Sequence, residues 1–111
     1  MKKINILKES KDFERIIKNN KSIKNEYCYI YKEDKNDNTP YKFGFSVSKK
    51  IGNAVIRNKY KRRLKSILDS EKYYNNFNCI IILRKTALNV DFNILKKSLI
   101  NDLTKLKIVK E

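Results

Sequence analysis

Histidine is absent from all 111 residues. Its absence removes the side chain most often used as a general base near neutral pH and the commonest metal ligand. Glycine occurs twice, at Gly44 and Gly52, which cannot make a dinucleotide-binding or Walker-type phosphate loop. Two cysteines, Cys28 and Cys79, stand far apart in apolar or aromatic runs. They read as small buried hydrophobes in a reducing compartment, and two thiols alone make no zinc site. The basic segment Met1 to Lys8 lacks the apolar stretch of a signal peptide, and no run approaches the length of a membrane span. The expectation is a soluble, cytoplasmic protein without a membrane partner. There is no nucleophile beside a base, no pair of carboxylates at catalytic spacing and no metal-ligand cluster, so no catalytic residue and no metal site are expected in the protein itself. Any catalysis it takes part in needs another molecule to carry the chemistry.

Carboxylates are scarce as well. Asp and Glu total 12 against 27 Lys and Arg, a net charge of +15. The excess is concentrated. Between Lys49 and Lys65, eight of seventeen residues are Lys or Arg and none is Asp or Glu. Like charge gathered this way costs free energy through self-repulsion, and the usual compensation is a polyanion. Each cation that neutralises a phosphate releases a condensed counterion and supplies affinity independent of sequence. The chain is also rich in Ile and Asn, a bias that would inflate Lys everywhere, so arginine is the better witness. Of five arginines, Arg57, Arg62 and Arg63 fall within seven residues. The expectation is a nucleic-acid-binding surface on this segment.

At 111 residues and 41% apolar, the chain suits one domain over residues 1–111 with one modest core. Ser10 to Lys18 reads as a short helix, with Ser10 as cap, Asp12 and Glu14 in the first turn, and Phe13, Ile16 and Ile17 on one face. Glu26 to Tyr31 reads as a strand with Tyr27, Tyr29 and Tyr31 on one face. Such a row suits either the stacking of bases or packing with solvated hydroxyls. Lys32 to Pro40, with the only proline, reads as a hairpin loop, and Tyr41 to Ser48 as the returning strand. From Ala54 a helix presents Ile56, Tyr60, Leu64 and Ile67 to a sheet and Arg57, Lys61 and Lys65 as a neighbouring row. Cys79 to Leu83 has the unbroken apolar pattern of a central strand and runs into Arg84-Lys85. Asp91 opens a last helix carrying Phe92, Leu95, Leu99, Leu103 and Leu106. The fold class expected is α+β, an α/β sandwich with a mixed sheet of about four strands in the order α-β-β-β-α-β-α. Basic helix, aromatic strand and missing catalytic groups favour RNA over DNA. A DNA-reading helix-turn-helix would need two helices around a short turn, and here a loop and a strand precede the basic helix.

The run Ser46-Val47-Ser48-Lys49-Lys50-Ile51-Gly52-Asn53-Ala54-Val55-Ile56-Arg57-Asn58-Lys59-Tyr60-Lys61-Arg62 resembles the signature of the protein subunits of bacterial ribonuclease P. So do Asp12-Phe13, the tyrosine strand, and Ile80-Ile81-Ile82-Leu83-Arg84-Lys85-Thr86-Ala87, in the order that family shows. The resemblance implies a part in removing 5′ leaders from precursor tRNA. In that family the RNA subunit carries the active site and its magnesium ions, and the protein assists substrate binding and lowers the magnesium requirement. It implies that Lys49, Lys50, Asn53, Arg57, Asn58, Lys59, Lys61, Arg62 and Lys65 face the ribonuclease P RNA, with Arg84 and Lys85 as further cations. It implies that Phe13, Ile17 and Tyr31 line a cleft for the single-stranded leader, and that the basic helix lies in a left-handed crossover, against the usual right-handed form. Three positions depart from the family pattern. Lys59 replaces an arginine and loses its planar fork, Ile17 replaces a frequent phenylalanine, and Arg63 stands where an apolar residue is common. The alternative reading is an RNA-binding protein of another kind, such as a ribosomal protein. A protein-only nuclease lacks its acid-base groups.

Overall fold

The computed structural model describes residues 1–111. Three helices and four strands follow in the order α1 (Ser10–Asn19), β1 (Ile23–Lys24), β2 (Cys28–Asp34), β3 (Lys42–Ser46), α2 (Ala54–Asp69), β4 (Phe77–Leu83) and α3 (Phe92–Lys105). The strands form one sheet in the order β1-β2-β4-β3. β2 runs antiparallel to β1 and β4, and β3 runs parallel to β4. The sheet is therefore mixed, and α2 is the crossover between its two parallel neighbours.

β4 holds the centre. Its apolar side chains are buried on both faces, leaving only Ile82 partly open, as a central strand requires. On one face, Cys28 and Ile30 of β2, Phe43 of β3, and Cys79, Ile81 and Leu83 of β4 meet Tyr60, Leu64, Ile67 and Leu68 of α2 and Leu95, Leu99 and Leu103 of α3 in one core. Fully burying an aliphatic side chain of this kind contributes about 1.5–3 kcal/mol. The opposite face is thinly covered. Leu7 and Ile16 sit on Ile80, with Phe13, Ile17, Tyr31 and Ile82 partly buried around them. The N-terminal segment shields the free edge of β3, where the Leu7 N–H donates to the Phe43 carbonyl at 2.8 Å.

Local signals placed most boundaries. Asn53 caps α2, its side-chain oxygen accepting from the Ile56 N–H at 3.1 Å, and Asp91 caps α3 by accepting from the Asn93 N–H at 2.7 Å. Four expectations need correction. Lys32 to Pro40 is not a hairpin loop, because β4 lies between β2 and β3 and the two strands it joins do not pair. Ser10 is the first helical residue of α1, not its cap; Glu9 occupies that place and makes no side-chain cap bond. β2 continues to Asp34, through residues expected in the loop, because Lys32, Glu33 and Asp34 pair with Cys79, Asn78 and Phe77. Ile56 does not face the sheet and is 38% exposed. Its side chain lies over Gly52 instead.

Candidate nucleic-acid interface

α2 is held to the sheet by the stripe Tyr60, Leu64, Ile67 and Leu68, and Tyr60 is further fixed by its hydroxyl, which donates to the Leu88 carbonyl at 3.1 Å. Much of the helix off that stripe is open to a partner. Lys49, Lys50, Asn53, Asn58, Lys59 and Arg62 are exposed, while Arg57, Lys61 and Lys65 are half-buried along the helix flank. None of the cations from Lys49 to Lys65 forms an ion pair within the protein. Nε of Arg57 is buried without any acceptor, and such an orphan donor costs about 1–3 kcal/mol until something supplies one. Arg63 leans over the Tyr60 ring, its Cζ 5.3 Å from the centroid, so this departure from the family pattern is absorbed at the core edge by a cation–π contact.

A second surface lies on the other side of the sheet. Pleating sends Tyr29, Tyr31 and Glu33 of β2 to the same face as Asn78, Ile80 and Ile82 of β4 and Gly44 and Ser46 of β3. The register aligns Tyr31, Ile80 and Gly44 in one row and Tyr29, Ile82 and Ser46 in the next. α1 lies across this face, and Phe13, Ile17, Tyr31 and Ile82 are partly buried against the small cluster of Leu7, Ile16 and Ile80, an apolar seam between helix and sheet. The Phe13 ring rests where a side chain on residue 44 would be: a β-carbon there would stand 2.5 Å from its Cζ. Arg15 ties the helix down with a two-pronged bond to Glu33, both distances 3.0 Å, while also donating to Asp12 at 2.6 Å. The Arg15 guanidinium holds the Glu33 carboxyl below its ordinary range; burial opposes this, and the amide of Asn78, which donates to it at 2.8 Å, assists.

The expected row of three tyrosines is a row of two. Tyr27 precedes β2 and packs against the α2/α3 core. The side-chain oxygen of Asn25 accepts from the Tyr27 N–H at 2.8 Å, an Asx-type turn that breaks the alternation before the strand begins.

Because β3 and β4 are parallel, their C-terminal ends and the start of α2 gather at one end of the sheet. There Lys50, Arg84 and Lys85 join Tyr29, Ser48 and Thr86 around a groove of about 320 Å³. Arg84 is placed by Nη1, which donates to the carbonyls of Asn25 at 3.0 Å and Glu26 at 3.1 Å. The pairing of Arg84 with Tyr29, the role of Asn25 and the Phe13–Gly44 contact were missed by sequence reasoning. Only the isolated glycine in an alternating strand was a usable signal.

No group of three or more His, Cys, Asp or Glu side chains comes together to hold a metal ion, and no helix is long and apolar enough to cross a membrane. Cys28 and Cys79 are free and buried. Burial pushes the Cys28 thiol up to about 12 and raises that of Cys79 as well.

Comparison with known proteins gives one consistent result. A family model described as Ribonuclease P matches residues 1–107. A ribonuclease P protein component from Listeria monocytogenes is 41% identical over 113 residues, spanning 100% of this chain and 95% of that protein. One from Mycoplasma mycoides is 40% identical, spanning 100% and 98%. Among solved structures, the RNase P protein of Staphylococcus aureus superposes with a TM-score of 0.85 at 30% identity, covering 97% of this chain and 100% of that one. The protein from Thermotoga maritima gives 0.79 at 31% identity, covering 89% and 94%.

Proposed function

The chain belongs to the ribonuclease P protein family, and from that premise we propose that it is the protein subunit of a ribonucleoprotein that removes the 5′ leader from precursor tRNA in the cytoplasm. The ribonuclease P RNA takes the cationic side of α2, with Lys49, Lys50, Asn53, Arg57, Asn58, Lys59, Lys61, Arg62 and Lys65 against its phosphates. The single-stranded leader takes the cleft of Phe13, Ile17 and Tyr31. One observation carries this reading: the two surfaces lie on opposite faces of one sheet, the first charged and without internal counterions, the second apolar and aromatic. A phosphate-rich duplex suits the first and unstacked bases suit the second.

Catalysis belongs to the RNA subunit. The magnesium ions, as the family resemblance implies, are held mainly by that RNA, in keeping with a cationic segment that has no carboxylate between Lys49 and Lys65. The protein's part is electrostatic and positional: it neutralises two RNAs that would otherwise repel, and so lowers the magnesium needed to bring them together. The test is leader removal from a labelled precursor tRNA at low magnesium, with a ribonuclease P RNA and this protein, together and separately. Cleavage that requires both supports the reading. Binding to the RNA without any effect on cleavage would leave only a generic RNA-binding protein, and cleavage by protein alone would return the chemistry to the protein.

A further inference from the structure

α1 touches the sheet through few side chains. Ile16 is its one fully buried residue, packed with Leu7 against Ile80. A single apolar contact sets how far a helix stands from a sheet but leaves it free to roll. Two further contacts oppose the roll, and helical periodicity puts them on opposite flanks of Ile16. Phe13 and Ile17 fall on one flank, where the Phe13 ring rests against Gly44. Asp12 and Arg15 fall on the other. There Arg15 reaches Glu33, which lies one pleat repeat of about 6.6 Å beyond Tyr31 on the same face of β2. Nε and Nη2 of Arg15 donate to the two oxygens of Glu33, each at 3.0 Å, and Nη1 donates to Asp12 at 2.6 Å. Glu33 is held from the sheet side by the Asn78 amide, which donates to it at 2.8 Å. Each guanidinium nitrogen therefore already carries a carboxylate oxygen. The groove of about 450 Å³ around this cluster is lined by four carboxylates and three cations, in a chain with 27 Lys and Arg against 12 Asp and Glu. An arginine placed to meet RNA phosphate would not be given two carboxylates in a groove where carboxylates are in excess.

We propose that the Arg15–Glu33 fork is a positioning device for leader binding. It fixes the roll of α1, and with it the placement of Phe13 and Ile17 relative to Tyr31. Arg15 and Glu33 are positioning residues: neither touches the leader, and both act through the helix. The Phe13 ring against Gly44 stops the helix from rolling one way, and the fork on the opposite flank stops it from rolling the other. A cleft set in advance does not have to order its own wall when a single strand enters, so less freedom is lost on association. The two-pronged geometry matters here, because a planar fork fixes direction as well as distance. The proposal rests on the leader reading above and adds how the wall of that cleft is held in place.

The test is equilibrium binding of leader-bearing and leaderless tRNA to the holoenzyme reconstituted with a ribonuclease P RNA. Wild type is compared with Glu33→Gln, with Arg15→Lys and with the exchange of Arg15→Glu and Glu33→Arg together. Circular dichroism gives the folded fraction of each protein, and affinities are compared per folded molecule. Glu33→Gln should weaken binding of leader-bearing tRNA roughly two- to fivefold, the factor within reach of a partly exposed ion pair, and leave leaderless tRNA unaffected. Arg15→Lys, which keeps the charge and loses the fork, should show a loss of the same sign. The exchange should recover most of the wild-type affinity, and the salt slope of binding should stay the same throughout. Tighter binding of the leader by Glu33→Gln, or a steeper salt slope, would make the released Arg15 a phosphate contact and overturn the proposal. A Glu33→Gln loss that is equal on leaderless tRNA, or that the exchange does not repair, would overturn it as well. Equal binding of leader-bearing and leaderless tRNA by the wild-type holoenzyme would instead overturn the leader reading itself.

Discussion

At Gly44 a β-carbon would stand 2.5 Å from Cζ of Phe13, inside any real contact distance, and a tight 3.0 Å from Cε2. The backbone at Gly44 does not have a positive φ, so an alanine there is opposed only by the ring. That makes the position a clean probe of the cleft. The ring is the tip of a side chain with two torsions and can move aside, so Gly44→Ala should cost the fold only about 1 kcal/mol. In a Phe13→Ala background the sign should reverse, because alanine in a strand is better than glycine by about 0.5–1 kcal/mol once nothing opposes it. Urea unfolding of the four proteins in this cycle measures the coupling. A Gly44→Ala cost that is unchanged without the Phe13 ring would mean that the glycine answers to something other than the cleft.

Two elements, α1 and α2, carry the two surfaces, and each is held in a way that predicts a different response. α1 is tied to β2 by the Arg15–Glu33 fork, and the depressed carboxyl of Glu33 gives the tie a pH dependence. A group whose folded pKa lies below its unfolded value contributes stability above the unfolded value and loses it as pH falls through the folded one. The contribution is therefore present above the ordinary value of 4.5 and disappears in more acid solution. Arg15 is 42% exposed, so screening limits it to about 1 kcal/mol or less. Glu33→Gln should be less stable than wild type at neutral pH and converge with it as the solution is acidified, followed by circular dichroism; parallel curves would remove the fork from the account. For α2 the response is to salt. Arg57→Ala and Arg62→Ala should each flatten the salt slope of RNA-subunit binding by about one unit per lost phosphate contact, and an unchanged slope would move the RNA to another face. The sequence made α2 legible because its signals are local: the helical spacing of Tyr60, Leu64 and Ile67 and a charge run without carboxylates. β4 and α3 declared themselves in the same way. Legibility failed where a distant partner decides. Glu33 and Asp34 look like loop residues until Asn78 and Phe77 pair with them. Tyr27 belongs to the tyrosine row by alternation alone until Asn25 turns the chain beneath it. Arg15 and Glu33 are eighteen residues apart, and neither carries a mark of the other.

For the whole molecule, the net charge of +15 sets up two salt dependences of opposite sign. Salt weakens RNA binding, since each counterion released into a more concentrated solution gains less entropy. It should strengthen the fold, because the cations from Lys49 to Lys65 have no internal partners, and their mutual repulsion falls as the Debye length shrinks to about 10 Å at 0.1 M. The ion pairs that salt would weaken are few and mostly exposed, as at Lys11–Glu9 and Lys35–Asp37, and such pairs contribute little. The melting temperature of the free protein should therefore rise with added potassium chloride over the same range in which RNA affinity falls. Neutralising two exposed cations, Lys59→Gln with Arg62→Gln, should raise the low-salt melting temperature and reduce its dependence on salt while weakening RNA binding. A melting temperature that falls with salt would place the balance of charge in the folded state with the ion pairs. The concentration of charge on α2 would then need an explanation other than a surface kept under repulsion until an RNA covers it.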